Sequence, residues 1–275
     1  MVGSGIFIVS ADIARIVGGA GWLLAVWLLT AFMTLVAARC TAELATMFPH
    51  AGGQFVFLRE AFGPLPAFLY GWTLFLVIQS GTIAAVAVAF AKFLAVLAPS
   101  LGAPVALSAL GHAVSAQQLV AVAVIALLTA ANCRGLHTGR AIQNGFTVAK
   151  VAALVALVAC GLLLGWNPQV VAANAATAFE GPLGGGLVTG FGAAMVGSLF
   201  SADAWNNVTF TAAEVREPER TVPRALLLGT GLVVALYVLA NLAYLVVLPA
   251  GGSAEGRIAA RDGGRVTCHV RRVRL

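Results

Sequence analysis

A bilayer core is crossed by about 20 consecutive apolar residues in a helix. Residues 16–38, 65–91, 116–132, 151–166, 188–211 and 225–248 form six apolar runs of about that size, and Asp203 is the one charged residue inside them. The run 151–166 is short but extends back through Lys150 and Thr147 to about Gln143. Residues 1–12 add roughly half a span,. Two apolar segments are interrupted by small and polar residues: Gly3-Ser4-Gly5-Ile6-Phe7, and Gly197-Ser198-Leu199-Phe200-Ser201-Ala202-Asp203. A helix that breaks in lipid frees N–H and C=O groups that hydrocarbon cannot satisfy, so such breaks persist only where protein, water or a ligand takes them. A pair of interrupted spans is the best sequence pointer to the binding site of a secondary transporter.

Composition excludes the soluble alternatives. The chain is 60% hydrophobic and 9% charged, against about 25% charged residues in soluble domains. The formal charge of +6 comes from basic residues spread mostly singly between apolar runs, which is a topological pattern and not a nucleic-acid surface,. Cys40, Cys133, Cys160 and Cys268 have no metal-ligand spacing and read as small apolar fillers, so no metal or cofactor is expected,. No nucleophile–base pair or phosphate loop points to an enzyme, and no filter motif points to a channel. Met1 runs into apolar sequence without a basic leader, so no cleavable signal peptide is expected,.

Basic residues set the expected orientation. Arg39 and Arg59, then Arg134, Arg140 and Lys150, then Arg216, Arg220 and Arg224 mark three connections, whereas 99–115 and 167–187 hold no Lys or Arg. The positive-inside rule places the first three in the cytoplasm, with a cytoplasmic N-terminus. Segment 99–115 reads as a loop bounded by Pro99 and Pro104, and 181–186 as a glycine-rich turn,. The tail 250–275 holds six of the sixteen basic residues and no apolar period. It reads as disordered or out-of-frame sequence, or as a basic tail for anionic lipid.

Ionisable residues in apolar sequence are functional candidates. Glu43 has an interfacial reading, paired with Arg39 at i,i+4. Lys150 is either a snorkelling interface lysine or a functional charge. Asp203 must face a cavity or a partner. Phe200 and Trp205, five apart on the broken segment, either share a cavity or simply pack,. The proline-bracketed stretch Phe48–Pro64 reads as an interfacial helix that is either a lever or a plain connection.

Several of these stretches, in this order, resemble the amino acid–polyamine–organocation (APC) superfamily. Gly3–Phe7 resembles its first-helix signature, and Cys40–Gly63 its second helix and following loop. Phe200–Asn207 with Glu214–Ala225 resembles the sixth helix and loop of its L-type amino acid transporter branch. The resemblance covers residues 1 to about 249 and implies an all-α, polytopic LeuT-type fold of two inverted five-helix repeats. Residues 1–166 would be the first repeat, with its first helix incomplete, and 188–249 the first two helices of the second. It implies a secondary active carrier, a permease or exchanger, that holds an amino acid by main-chain groups. The carboxylate would lie on N–H groups at Ser4, Gly5 and Ile6, with the Ser4 hydroxyl as an added donor, where Gly3 and Gly5 permit close approach and a half-helix start favours an anion. The ammonium would lie on carbonyls near Phe200, Ser201 and Asp203. Phe200 would gate the solute together with Trp205, and Lys150 would replace a sodium ion between the first and fifth helices.

Against that family the chain departs in three ways. Only Met1 and Val2 precede the glycine motif, a charge stands at Asp203, and about seven spans are present where the family has ten or more. The expectation is therefore a carrier truncated at both ends; the alternative is a non-transporting remnant or assembly partner. The expected partners are a small amino acid and the lipid bilayer of the cell membrane, with no nucleic acid; the sequence identifies no partner subunit.

Overall fold

The computed structural model describes residues 2–3, 5–99, 104–109, 112–133, 136–180 and 186–250. Ser4, Arg134, the turn residues 181–185 and the tail 251–275, Cys268 included, lie outside the described residues. Helices dominate. In chain order they are α1 Gly5–Val17, α2 Ala20–Met47, α3 Gln54–Phe62, α4 Pro64–Thr73, α5 Ser80–Leu97, α6 Ala116–Cys133, α7 Leu136–Leu163, α8 Pro168–Ala176, α9 Leu187–Ser201 and α10 Pro218–Val247. A π-helical turn, Leu74–Gln79, joins α4 to α5, and a 3-10 helix, Trp205–Glu214, precedes α10.

Among the described residues, five stretches are long and apolar enough to cross a membrane: Ala20–Met47, Pro64–Leu97, Ala116–Cys133, Ala141–Leu163 and Pro218–Val247. They leave large apolar side chains such as Phe75, Leu97 and Leu127 uncovered, a surface that water would not tolerate but lipid does. The two other expected spans are the interrupted ones. Helix α1 has 13 residues and α9 has 15, short of a crossing,. The all-α, multi-pass expectation therefore holds, with one local correction. The loop expected over 99–115 contains an antiparallel hairpin, β1 Pro104–Ala109 with β2 His112–Ser115, in which Ala109 faces His112. Two residues separate the strands, one of them Gly111, a connection length and composition that favour a hairpin.

The chain divides into two compact units. The first comprises residues 1–37, 152–203 and 230–275. Its core gathers Ile6, Ile13, Val17, Leu23, Val26, Trp27, Leu154, Val158, Ala194, Tyr237 and Ala240. Within α1, Ile6, Ser10, Ile13 and Val17 are buried at helical spacing, so one stripe faces the core, and α1 packs along α9,. Gly161 and Gly165 let α7 approach α10: a Cβ at Gly161 would fall 2.9 Å from Ala243 Cβ, and one at Gly165 2.6 Å from Val247 Cγ2.

The second unit comprises 38–151 and 204–229. Here Ala42, Ala45, Val56, Phe57, Ala212, Val222 and Leu226 form a core that joins the end of α2, helix α3, the 3-10 helix and the start of α10. Gly53 has φ +49°, and a Cβ there would lie 3.2 Å from the Phe210 ring and against Thr209 Oγ1. Glycine is required on both counts. The Phe48–Pro64 stretch therefore packs against the segment that follows the sixth-span break. Arg39 Nε meets Glu43 Oε1 at 2.9 Å in an exposed i,i+4 pair, as expected for an interfacial glutamate; such a pair contributes about 0–1 kcal/mol.

Candidate functional site

The sixth span breaks where the sequence indicates. Helix α9 ends at Ser201, Ala202 caps it, and Ala204 takes φ +69°, a left-handed conformation uncommon for a residue with a Cβ,. The last-turn carbonyls are only partly satisfied. Ala202 N–H is shared between Ser198 O at 3.0 Å and Leu199 O at 3.1 Å, and Asp203 N–H reaches Phe200 O at 3.3 Å. Among the described residues Ser201 O receives no such amide; the hydroxyl of Tyr237 donates to it at 3.2 Å. Each carbonyl has two lone pairs, so Phe200 O and Ser201 O each keep acceptor capacity at the break.

The first break meets the second. A Cβ at Gly5 would lie 2.9 Å from Ser201 Cβ and 3.1 Å from Ser201 Cα, and it would collide with Ser201 Oγ. Only a residue without a side chain lets the start of α1 come this close to the end of α9. Gly197, one turn before, makes a similar approach to Val9, at 2.8 Å from Val9 Cγ1. The first N–H groups of α1, at Gly5 and Ile6, have no acceptor within their own helix. They start a half-helix whose positive dipole end favours an anion.

Tyr237 was not anticipated. It is 1% exposed and donates to Ser201 O. The phenol thus holds the carbonyl at the end of α9. It stands edge-on to Trp27, with ring centroids 5.6 Å apart. Its sequence signal was a lone hydroxyl within an apolar run, at Val234–Ala240. Its neighbours add a buried hydroxyl pair, Thr30 Oγ1 and Ser198 Oγ at 2.6 Å, while Thr34 Oγ1 returns to Thr30 O at 2.7 Å. The crevice lined by Trp27, Thr30, Ala31, Ala202, Val234 and Tyr237 has essentially no room even for a water molecule.

The candidate residues separate into two groups. Gly3, Gly5, Ile6, Phe200, Ser201 and Asp203 belong to the first unit. Gly5 and Ser201 touch, Ile6 and Ser201 are buried, and Phe200 and Asp203 are exposed. Lys150 and Trp205 belong to the second unit: Lys150 is exposed on α7, and Trp205, at the start of the 3-10 helix, packs against the core of that unit. Among the described residues, no group of His, Cys, Asp and Glu could hold a metal ion.

A multi-pass helical membrane protein with two short, interrupted helices meeting at their breaks is the class that fold and site define. A sequence model of the family described as amino acid permease matches residues 1–260. The chain belongs to the amino acid permease family. It is 31% identical to mouse (Mus musculus) b(0,+)-type amino acid transporter 1 over 251 residues, covering 90% of this chain and 48% of that one. The human (Homo sapiens) b(0,+)-type amino acid transporter 1 is 30% identical over 268 residues, 97% of this chain and 52% of the relative. The human large neutral amino acids transporter small subunit 2 is 31% identical over 252 residues, 90% and 45% respectively. The chain thus spans about half the length of the curated relatives it matches.

Proposed function

We propose that this chain carries the substrate site of a secondary active amino-acid transporter, a permease or exchanger and not an enzyme, acting in the cell membrane with its N-terminus in the cytoplasm. One observation carries the proposal. Gly5, at the start of one half-helix, lies against Ser201, at the end of another. Free N–H groups and under-used carbonyls are thereby brought to one place, which is the pairing an amino-acid zwitterion requires. The carboxylate is held by the N–H groups at Ser4, Gly5 and Ile6, with Gly3 leaving the backbone open to it. The ammonium is held by the carbonyls at Phe200 and Ser201, with Asp203 beside them. Phe200 and Trp205 gate the solute, and Lys150 supplies a fixed charge in place of a coupling ion. Neutral amino acids are the substrate class, because the break offers few side-chain charges. The relatives' names, which specify amino acids in each case, support the same class, and the word subunit in one of them supports a partner chain.

The test is uptake of labelled neutral L-amino acids into vesicles holding the protein. Saturable uptake that is lost in Gly5→Val supports the site. Saturable uptake that survives Gly5→Val at unchanged affinity refutes it, because a valine Cβ cannot fit against Ser201.

A further inference from the structure

We propose that residues 167–180 are a strap that couples the α1–α2 junction to the end of α10, with Asn174 as its positioning residue. The coupling bears on the transport site proposed above because the strap's two attachments sit on the chains that carry Gly5 and Tyr237. At the first attachment the strap caps the start of α2. Its N-terminal N–H groups need acceptors, and Ala178 O takes both Gly21 N–H at 2.7 Å and Trp22 N–H at 3.3 Å. Trp22 Nε1 donates to Phe179 O at 3.1 Å, and the two rings stand edge to face with centroids 5.3 Å apart. Gly19 must be glycine, since a Cβ would lie 2.8 Å from Glu180 O.

At the second attachment the strap caps α10 with the opposite chemistry. The final carbonyls of a helix need donors. Asn174 Nδ2 donates to Leu245 O at 2.7 Å and to Leu248 O at 3.0 Å, while its Oδ1 accepts from Ala250 N–H at 2.8 Å. Asn174 is 6% exposed, so these bonds are sheltered, and all of its polar hydrogens are used. Asn174 stands in the last turn of α8, and only residues 175–177 separate it from Ala178; α8 is started by Asn167, whose Oδ1 accepts from Gln169 N–H at 3.1 Å and Val170 N–H at 3.4 Å, with Pro168 at the first helical position,. A nine-residue helix capped this way fixes the place of Asn174, and the link from it to Ala178 is short. One segment therefore closes a helix start at one end and a helix finish at the other. Loosening either cap must loosen the other if the link transmits, because coupling is reciprocal.

Amide hydrogen exchange on the full chain in lipid nanodiscs tests this. Asn174→Ala removes all three bonds at the α10 attachment. Exchange is expected to quicken about tenfold at Ala250 and also at Gly21 and Trp22. Phe179→Ala strips the ring from Trp22 and is expected to quicken exchange at Ala250. Acceleration confined to the mutated attachment in both variants overturns the strap. Should either variant fail to elute as a single species, Asn174→Asp, which keeps the acceptor and loses both donors, and Phe179→Leu give the same two-ended comparison. No solute enters this readout. A chain that takes up no amino acid would sink the transport reading and leave the strap standing.

Discussion

Gly5→Ala probes the meeting of the two breaks most locally. The new Cβ would sit 2.9 Å from Ser201 Cβ and 3.1 Å from Ser201 Cα, against an optimum of about 3.5–4.0 Å for carbon pairs. Ser201 cannot simply turn away: its Oγ bonds Gly197 O at 3.0 Å and its carbonyl receives Tyr237. Relief requires α1 and α9 to part by about 0.5–1 Å, and overpacking of this kind costs about 1–3 kcal/mol. Alanine recovers part of that, up to about 1 kcal/mol by helix propensity and less in a first turn. The net expectation is a loss of about 1–2 kcal/mol. Thermal unfolding of Gly5→Ala, Ser201→Gly and the double variant in one detergent measures it. Ser201→Gly removes both Oγ and Cβ, so the double variant should regain about 1 kcal/mol or more of the Gly5→Ala loss. Additivity within about 0.5 kcal/mol would show that the two residues do not touch and would refute the argument.

Other expectations follow from single contacts. Tyr237→Phe leaves Ser201 O without the phenol's hydrogen bond, so chemical or thermal unfolding should report a loss of about 1–3 kcal/mol; an unchanged midpoint would show the phenol idle. Gly53→Ala places a Cβ at φ +49° against Thr209 and the Phe210 ring, and a loss of about 1–3 kcal/mol is expected by unfolding. Lys150→Ala, at an exposed position of α7, should leave the unfolding midpoint within about 0.5 kcal/mol of wild type while impairing amino-acid exchange in vesicles; wild-type exchange would return Lys150 to a snorkelling role.

How much of this was legible beforehand depends on the kind of signal. The apolar runs gave the multi-pass class because lipid forbids most alternatives. Gly197–Asp203 announced the second break through its small and polar residues, and the helix ends there. The contact of Gly5 with Ser201 was not readable: the two are far apart in sequence, and nothing in local composition says which breaks meet. Tyr237 was passed over because a tyrosine in an apolar span has a packing role and a bonding role that look alike until its hydroxyl's partners are known. The hairpin 104–115 escaped for want of an apolar alternation strong enough to separate strand from loop. Asn174 lay in a segment without charge or aromatic density, and its three partners come from the far end of the chain. Main-chain capping of this sort leaves no mark on the sequence of the capped helix.

The central claim is that an amino acid is held at both of its ends by main-chain groups of two breaks. The most direct measurement is competition for binding of a labelled neutral L-amino acid to the protein in nanodiscs, using three unlabelled compounds: the amino acid itself, its methyl ester and the carboxylic acid lacking its amine. The account predicts displacement by the amino acid and at least about tenfold weaker displacement by the other two, since each leaves one set of polar groups unpaired. Equal displacement by the ester or by the amine-free acid would contradict it.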